Sequence, residues 1–160
     1  MKVLAIGCLG VAGLALGQVS TPQLGWVADR TSIRTIYGIP AAAAVGPRVF
    51  MNRDLARIAV SPGGDYVLAS LISARKIGSV AIYRPETGLI PLGGVLGAPD
   101  RMVLSPRGSS AALWFSSTHQ AQVVTGLPDA PKIQQRDASF LESAPDALAI
   151  SDDGAWLAGA

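Results

Sequence analysis

The sequence predicts an all-β array of four-stranded antiparallel sheets, written as a repeat of about 45 residues. Three observations carry that prediction. The first is a phrase that occurs three times: ARIAVSPGGDYVLAS at 56–70, DRMVLSPRGSSAALWF at 100–115 and DALAISDDGAWLAGA at 146–160. Its central serines, Ser61, Ser105 and Ser151, stand 44 and 46 residues apart. The second is composition. Hydrophobic residues make up 49% and charged residues 15%, with 18 Gly and 11 Pro, which argues for many short elements joined by turns and against disorder. The third is that the first two copies are each followed by two more strand-like stretches with their own turn. Four short strands per copy at this period make the pattern of a β-propeller blade.

Residues 1–17 read as a signal peptide. Met1-Lys2 is a short positive start and 3–16 are almost wholly apolar. Ala15-Leu16-Gly17 then offers small residues at the two positions a signal peptidase reads, with cleavage before Gln18. An apolar stretch of about 14 residues, at ~1.5 Å each, falls short of a ~30 Å hydrocarbon core. The mature chain is therefore expected to be secreted or periplasmic, meeting the membrane only during export. Cys8 is the single cysteine. Cleavage would remove it, leaving no disulfide, thiol nucleophile or cysteine metal site. Ala5-Ile6-Gly7-Cys8 offers a weaker alternative, a lipoprotein box, but the apolar run before Cys8 is short and Ala5 stands where leucine is usual.

Residues 18–160 are expected to form a partial propeller, an incomplete ring. Residues 25–50 would be an outer half blade, with strands at 26–29 and 32–37 about a turn at Arg30-Thr31. Residues 41–44 read as a connector, a loop or a single helical turn. Residues 56–99 would be a full blade. Strands 57–60 and 66–71 flank Ser61-Pro62-Gly63-Gly64, and strands 79–83 and 89–94 flank Pro85-Glu86-Thr87-Gly88. Residues 100–145 repeat it with strands 101–104, 110–115, 120–125 and 132–135. Residues 146–160 would be an inner half blade, with strands at 147–150 and 156–159. Proline presets φ at the second turn position, and glycine supplies the positive φ of a tight hairpin. Open sheet edges need cover, so further blades of a longer chain, or self-association of copies, are expected.

The stretch Ile58-Ala59-Val60-Ser61-Pro62-Gly63-Gly64-Asp65-Tyr66-Val67 resembles a repeat of the bacterial TolB-like, YVTN-like and lactonase-like propellers: hydrophobic strand, Ser-Pro-Asp-Gly, hydrophobic strand. Ser151-Asp152-Asp153-Gly154 followed by Ala155-Trp156-Leu157 is a second match. The resemblance covers 56–160 well and 26–46 weakly. The usual turn aspartate is Gly63 in the first copy and Arg107 in the second, and the Gly-His and Trp-Asp pairs of WD40 blades are absent. The resemblance implies a ring of about six to eight blades with sites on its top face or central channel. It carries no catalytic residue onto this sequence.

Net charge is +2, and the 13 Lys and Arg residues are scattered, as Arg30, Arg34, Arg48, Arg53 and Arg57 illustrate. A nucleic-acid partner would need them clustered among stacking aromatics, and none is expected. His119, the single histidine, lies in a loop with no nucleophile and acid arranged about it. Asp152-Asp153 supplies too few oxygens for calcium, and the hairpin explains it. Leu92-Gly93-Gly94-Val95-Leu96-Gly97 lacks dinucleotide-loop spacing, and Ser105 sits in a repeat turn, not a nucleophile elbow. Trp26, Trp114 and Trp156 fall on predicted strands and are expected in the core.

Asp100 and Asp146 occupy equivalent places after Pro99 and Pro145, just before the first strand of a blade. Their oxygens suit backbone N–H groups at the strand start, with a ligand role at the channel mouth as the second reading. No catalytic residue, metal ligand or cofactor is assigned. The leading functional expectation is a scaffold or binding module for a protein or cell-envelope ligand. The alternative is a lactonase-like hydrolase whose catalytic groups lie in other blades. A structural piece of a multidomain surface protein is a third class.

Overall fold

The computed structural model of the chain describes residues 22–29, 31–50, 54–72, 78–138 and 145–160, which form strands and turns without a helix. The expected signal peptide at 1–17 and Cys8 lie outside the described residues.

The repeat works through its serine. Ser61 N–H donates to the Tyr66 carbonyl (3.0 Å) and Gly64 N–H to the Ser61 carbonyl (2.9 Å), while Ser61 Oγ accepts from Tyr66 N–H (3.1 Å). Ser105 makes the same three bonds with Ser110 and Gly108, at 2.9, 2.9 and 3.1 Å. Ser151 makes them with Trp156 and Gly154, each at 3.0 Å. The fourth turn residue is glycine in every copy because φ there is +71°, +75° and +72°, where a Cβ is strained. Side chain and backbone thus satisfy the hairpin's polar groups locally, and two strands leave it antiparallel.

Four antiparallel sheets result. The first is a meander of β1 (Gln23–Asp29), β2 (Ser32–Ile39) and β3 (Ala42–Phe50). The second runs β4 (Asp54–Val60), β5 (Val67–Ile72), β6 (Gly78–Arg84), β7 (Gly88–Pro91). The third runs β8 (Arg101–Leu104), β9 (Ser110–Phe115), β10 (Gln120–Thr125), β11 (Lys132–Asp137). The fourth pairs β12 (Leu148–Ile150) with β13 (Leu157–Gly159). Spatial order follows chain order within each sheet. This is the all-β, blade-like architecture of a β-propeller.

Two expectations change. The alanine run at 41–44 is not a connector: Ala42, Ala43 and Ala44 open β3 and pair with Ile39, Gly38 and Tyr37. Alanine is a poor strand former, and here the ladder to β2 decides. Gly46 completes it, because a Cβ there would stand 2.7 Å from the Tyr37 ring, and its carbonyl accepts from Arg34 Nε at 2.9 Å. The first sheet therefore has three strands where two were expected, and its first strand lies against β4. Trp156 also differs. It precedes β13 and is 79% exposed, whereas Trp26 and Trp114 are buried on β1 and β9.

The sheets stack face to face, and their cores lie between them. Tyr66, Leu68, Val80 and Ile82 of the second sheet meet Ala111, Leu113, Phe115 and Val124 of the third. On its other side the second sheet packs Val67, Ala69, Ala81 and Tyr83 against Trp26 and Ile33. The rings of Trp26 and Tyr83 meet edge to face at 5.5 Å, a favoured aromatic geometry. Both faces of β9 are covered, so all its residues are buried and it reads as a continuous apolar run rather than an alternating one.

Candidate functional site on the inner strands

Beyond the face-to-face packing, the strands at one edge of successive sheets lie side by side: β1 beside β4, β4 beside β8 and β8 beside β12. This edge is the inner rim of the array. Arg57 on β4 and Arg101 on β8 both stand four residues before their turn serine and are exposed. Arg57 is opposite Ser70 and Arg101 opposite Trp114 in the ladders. Neighbours fix their side. Ile58 and Met102 pack toward the preceding sheet, so strand alternation turns each arginine toward the following one.

Asp100 lies where Arg57 faces. Its Oδ2 accepts from Ser116 N–H at 2.7 Å and from Ser116 Oγ at 2.6 Å, and its own N–H donates to the Trp114 carbonyl at 2.8 Å. It fastens the start of β8 to the end of β9: the N–H it holds follows β9, whereas a bond at the strand start was expected. The hydrogen bonds from Ser116 hold the carboxyl below the usual carboxylate range, and the positive charge of Arg57 adds to this. Asp146 stands at the equivalent position before β12, exposed, and next to it Ala147 exchanges two backbone bonds with Ala160 at 3.0 and 3.1 Å. The two aspartates belong to different sheets and share no hydrogen-bond partner.

Clefts open along this rim. One of about 370 Å³ lies between β1 and β4, lined by Ala28, Asp29, Leu55, Ala56, Arg57 and Ile58. Another of about 200 Å³ lies between β8 and β12, lined by Arg101, Met102, Val103 and Leu148. In the sequence Arg57 is one of several scattered charges and nothing local marks Arg101. Their shared offset from the turn serine was the available signal. It acquires meaning only once β4 and β8 are known to be neighbours.

The other polar candidates are absorbed by structure. His119 is exposed, with φ of 50°, and meets the Trp114 ring edge-on at 6.4 Å. Asp152 Oδ1 accepts from Arg107 N–H at 2.8 Å, and Asp153 Oδ1 from Ala155 N–H at 2.9 Å. Among the described residues no group of three or more His, Cys, Asp or Glu is placed to hold a metal ion. Ser70 Oγ and Trp114 Nε1 are buried without a hydrogen-bond partner among the described residues.

Comparison with solved structures places this arrangement among β-propellers. The chain is similar to the periplasmic gluconolactonase PpgL of Pseudomonas aeruginosa, with 20% identity and a TM-score of 0.50, covering 83% of this chain and 44% of that one. Structures assigned as 6-phosphogluconolactonases also match. The Bacteroides fragilis structure has 18% identity, a TM-score of 0.48 and coverage of 70% and 38% of the two chains. The Bacteroides uniformis structure has 14% identity, a TM-score of 0.47 and coverage of 82% and 38%. The chain therefore spans less than half the length of each. At this identity the likeness is one of fold. No protein-family model matches the chain, and no curated protein matches it in sequence.

Proposed function

We propose that this chain forms part of a propeller hydrolase of the lactonase type, with its substrate held at the inner rim. The observation that carries the proposal is the fold likeness to a gluconolactonase over 83% of the chain. The exposed arginines of β4 and β8 support it. Lactone opening adds water to an ester carbonyl and releases a hydroxy acid, so negative charge grows on oxygen in the transition state and remains on the product. A guanidinium beside that oxygen stabilises both. Among the described residues, Arg57 and Arg101 on the inner rim are suited to that role. Asp100 is committed to Ser116 and positions β8; it is not assigned as the general base.

The test is titration, at constant pH, of the acid released from glucono-1,5-lactone by the purified protein. Opening faster than the spontaneous reaction is expected. Arg57→Ala or Arg101→Ala should lower the rate by about a hundredfold if that arginine faces the developing charge. If the protein gives no acceleration over the blank, the hydrolase proposal fails and the binding-module reading stands in its place. A periplasmic or secreted location belongs to the same proposal, supported by residues 1–17 and by the location of PpgL. N-terminal sequencing of the mature protein should begin at Gln18.

A further inference from the structure

The face of the β12–β13 sheet turned away from β8 is built like two faces that are already covered. In each repeat the residues two before, five after and seven after the turn serine share the side facing the next sheet. In the second sheet these are Ala59, Tyr66 and Leu68, all packed in the cluster shared with the third sheet. In the third sheet they are Val103, Ser110 and Ala112. Val103 and Ala112 pack with Ile150 of the fourth sheet. In the fourth sheet they are Ala149, Trp156 and Ala158, and all three are exposed.

A hydrogen bond recurs at the covered junctions. Tyr66 Oη donates to the Gly108 carbonyl, and Ser110 Oγ to the Asp152 carbonyl at 2.7 Å. Each donor stands five residues after a turn serine, and each acceptor lies in the next sheet's turn. An indole fits the same geometry, since Trp26 Nε1 donates to the Gly64 carbonyl at 3.2 Å. Trp156 has the backbone placement of Tyr66 and Ser110, with its N–H on Ser151 Oγ at 3.0 Å. Its indole is 79% exposed, although tryptophan is rarely left so bare on a soluble surface.

We infer that Ala149, Trp156 and Ala158 dock a further sheet of the same propeller, whose Ser-x-x-Gly turn presents a backbone carbonyl to Trp156 Nε1. Continuity with the junctions already formed identifies the occupant. So does the length of PpgL, of which this chain covers 44%. The shallow cleft of about 180 Å³ lined by Ala147, Leu148, Ala149, Ala158, Gly159 and Ala160 leaves room for the larger side chains of an incoming inner strand.

The test is photo-crosslinking from position 156 of the full-length protein carrying Trp156→p-benzoylphenylalanine, with mass mapping of the joined peptide. The expected product joins position 156 to a Ser-x-x-Gly turn of the same polypeptide. No crosslink, a link to a second copy, or a link to an unrelated protein overturns the inference. Acrylamide quenching of tryptophan fluorescence gives an independent reading. If Trp156 is covered, Trp156→Phe leaves the quenching constant unchanged. A sharp fall in that constant shows that Trp156 was open to solvent and overturns the inference.

Discussion

Ser105 carries one turn of the repeat on a single buried hydroxyl. It is fully buried, and its Oγ accepts from Ser110 N–H at 3.1 Å. Ser105→Ala leaves that N–H without a partner away from water, at a cost of about 1–3 kcal/mol. The midpoint of denaturant unfolding should fall accordingly. Asp100 acts at the same scale through charge. Its carboxyl is held low by Ser116, so its contribution is present above the unfolded value of about 3.9 and is lost as pH falls through the lower folded value. Asp100→Asn should therefore flatten the acid side of the stability profile below about pH 4, read as thermal midpoint against pH. Both residues were legible in the sequence as repeat positions. The hairpin partners of Ser105 lie within five residues, but the partner of Asp100 was not legible, because Ser116 meets Asp100 only when β8 and β9 pair.

At the scale of elements, β10 holds the crossover between the second and third sheets. Gln122 sits mid-strand and is only 4% exposed. Its Nε2 donates to the Gly94 carbonyl at 3.0 Å, and its Oε1 accepts from Leu96 N–H at 3.2 Å. One amide thus satisfies a donor and an acceptor of a segment that has no ladder of its own. Gln122→Leu keeps the bulk and removes both bonds. It should cost about 1–3 kcal/mol and speed hydrogen exchange at Leu96 while leaving the β9–β10 ladder protected. Nothing local in Ala121-Gln122-Val123 marks the glutamine as buried. Alternation assigns it to one face, and only the course of residues 92–100 shows that this face is covered. The reverse holds at β3, where Ala42, Ala43 and Ala44 resemble a connector in the sequence because their strand character comes from β2 rather than from themselves.

Across the whole molecule, apolar packing between sheets outweighs the charges that bridge them. Leu113 is fully buried in the core between the second and third sheets. Leu113→Ala should cost about 2–5 kcal/mol. Arg84 and Asp129 bridge the same two sheets at 2.7 Å, but the aspartate side chain is 78% exposed. Solvent screens such a pair, so a double-mutant cycle should give a coupling below about 1 kcal/mol, smaller still in high salt. Equal effects from the two sites would mean that the junction is not held mainly by its core.

The sequence by itself determined the repeat, the turns and the all-β class. Those features are local: a serine, a proline or aspartate and a glycine close each hairpin through bonds spanning no more than five residues. Tertiary structure decided what depends on neighbouring sheets. It buried Trp26 and Trp114 between sheets while no described sheet covers Trp156, turned an alanine run into β3, and brought Arg57 of β4 toward Asp100 before β8. The β2–β3 ladder pairs residues close in the chain, Ile39 with Ala42 and Tyr37 with Ala44, whereas the burial of the tryptophans and the approach of Arg57 to Asp100 rest on contacts tens of residues apart. A side chain's partner across a sheet junction is set by how two strands stack, and no stretch of either strand contains that information alone.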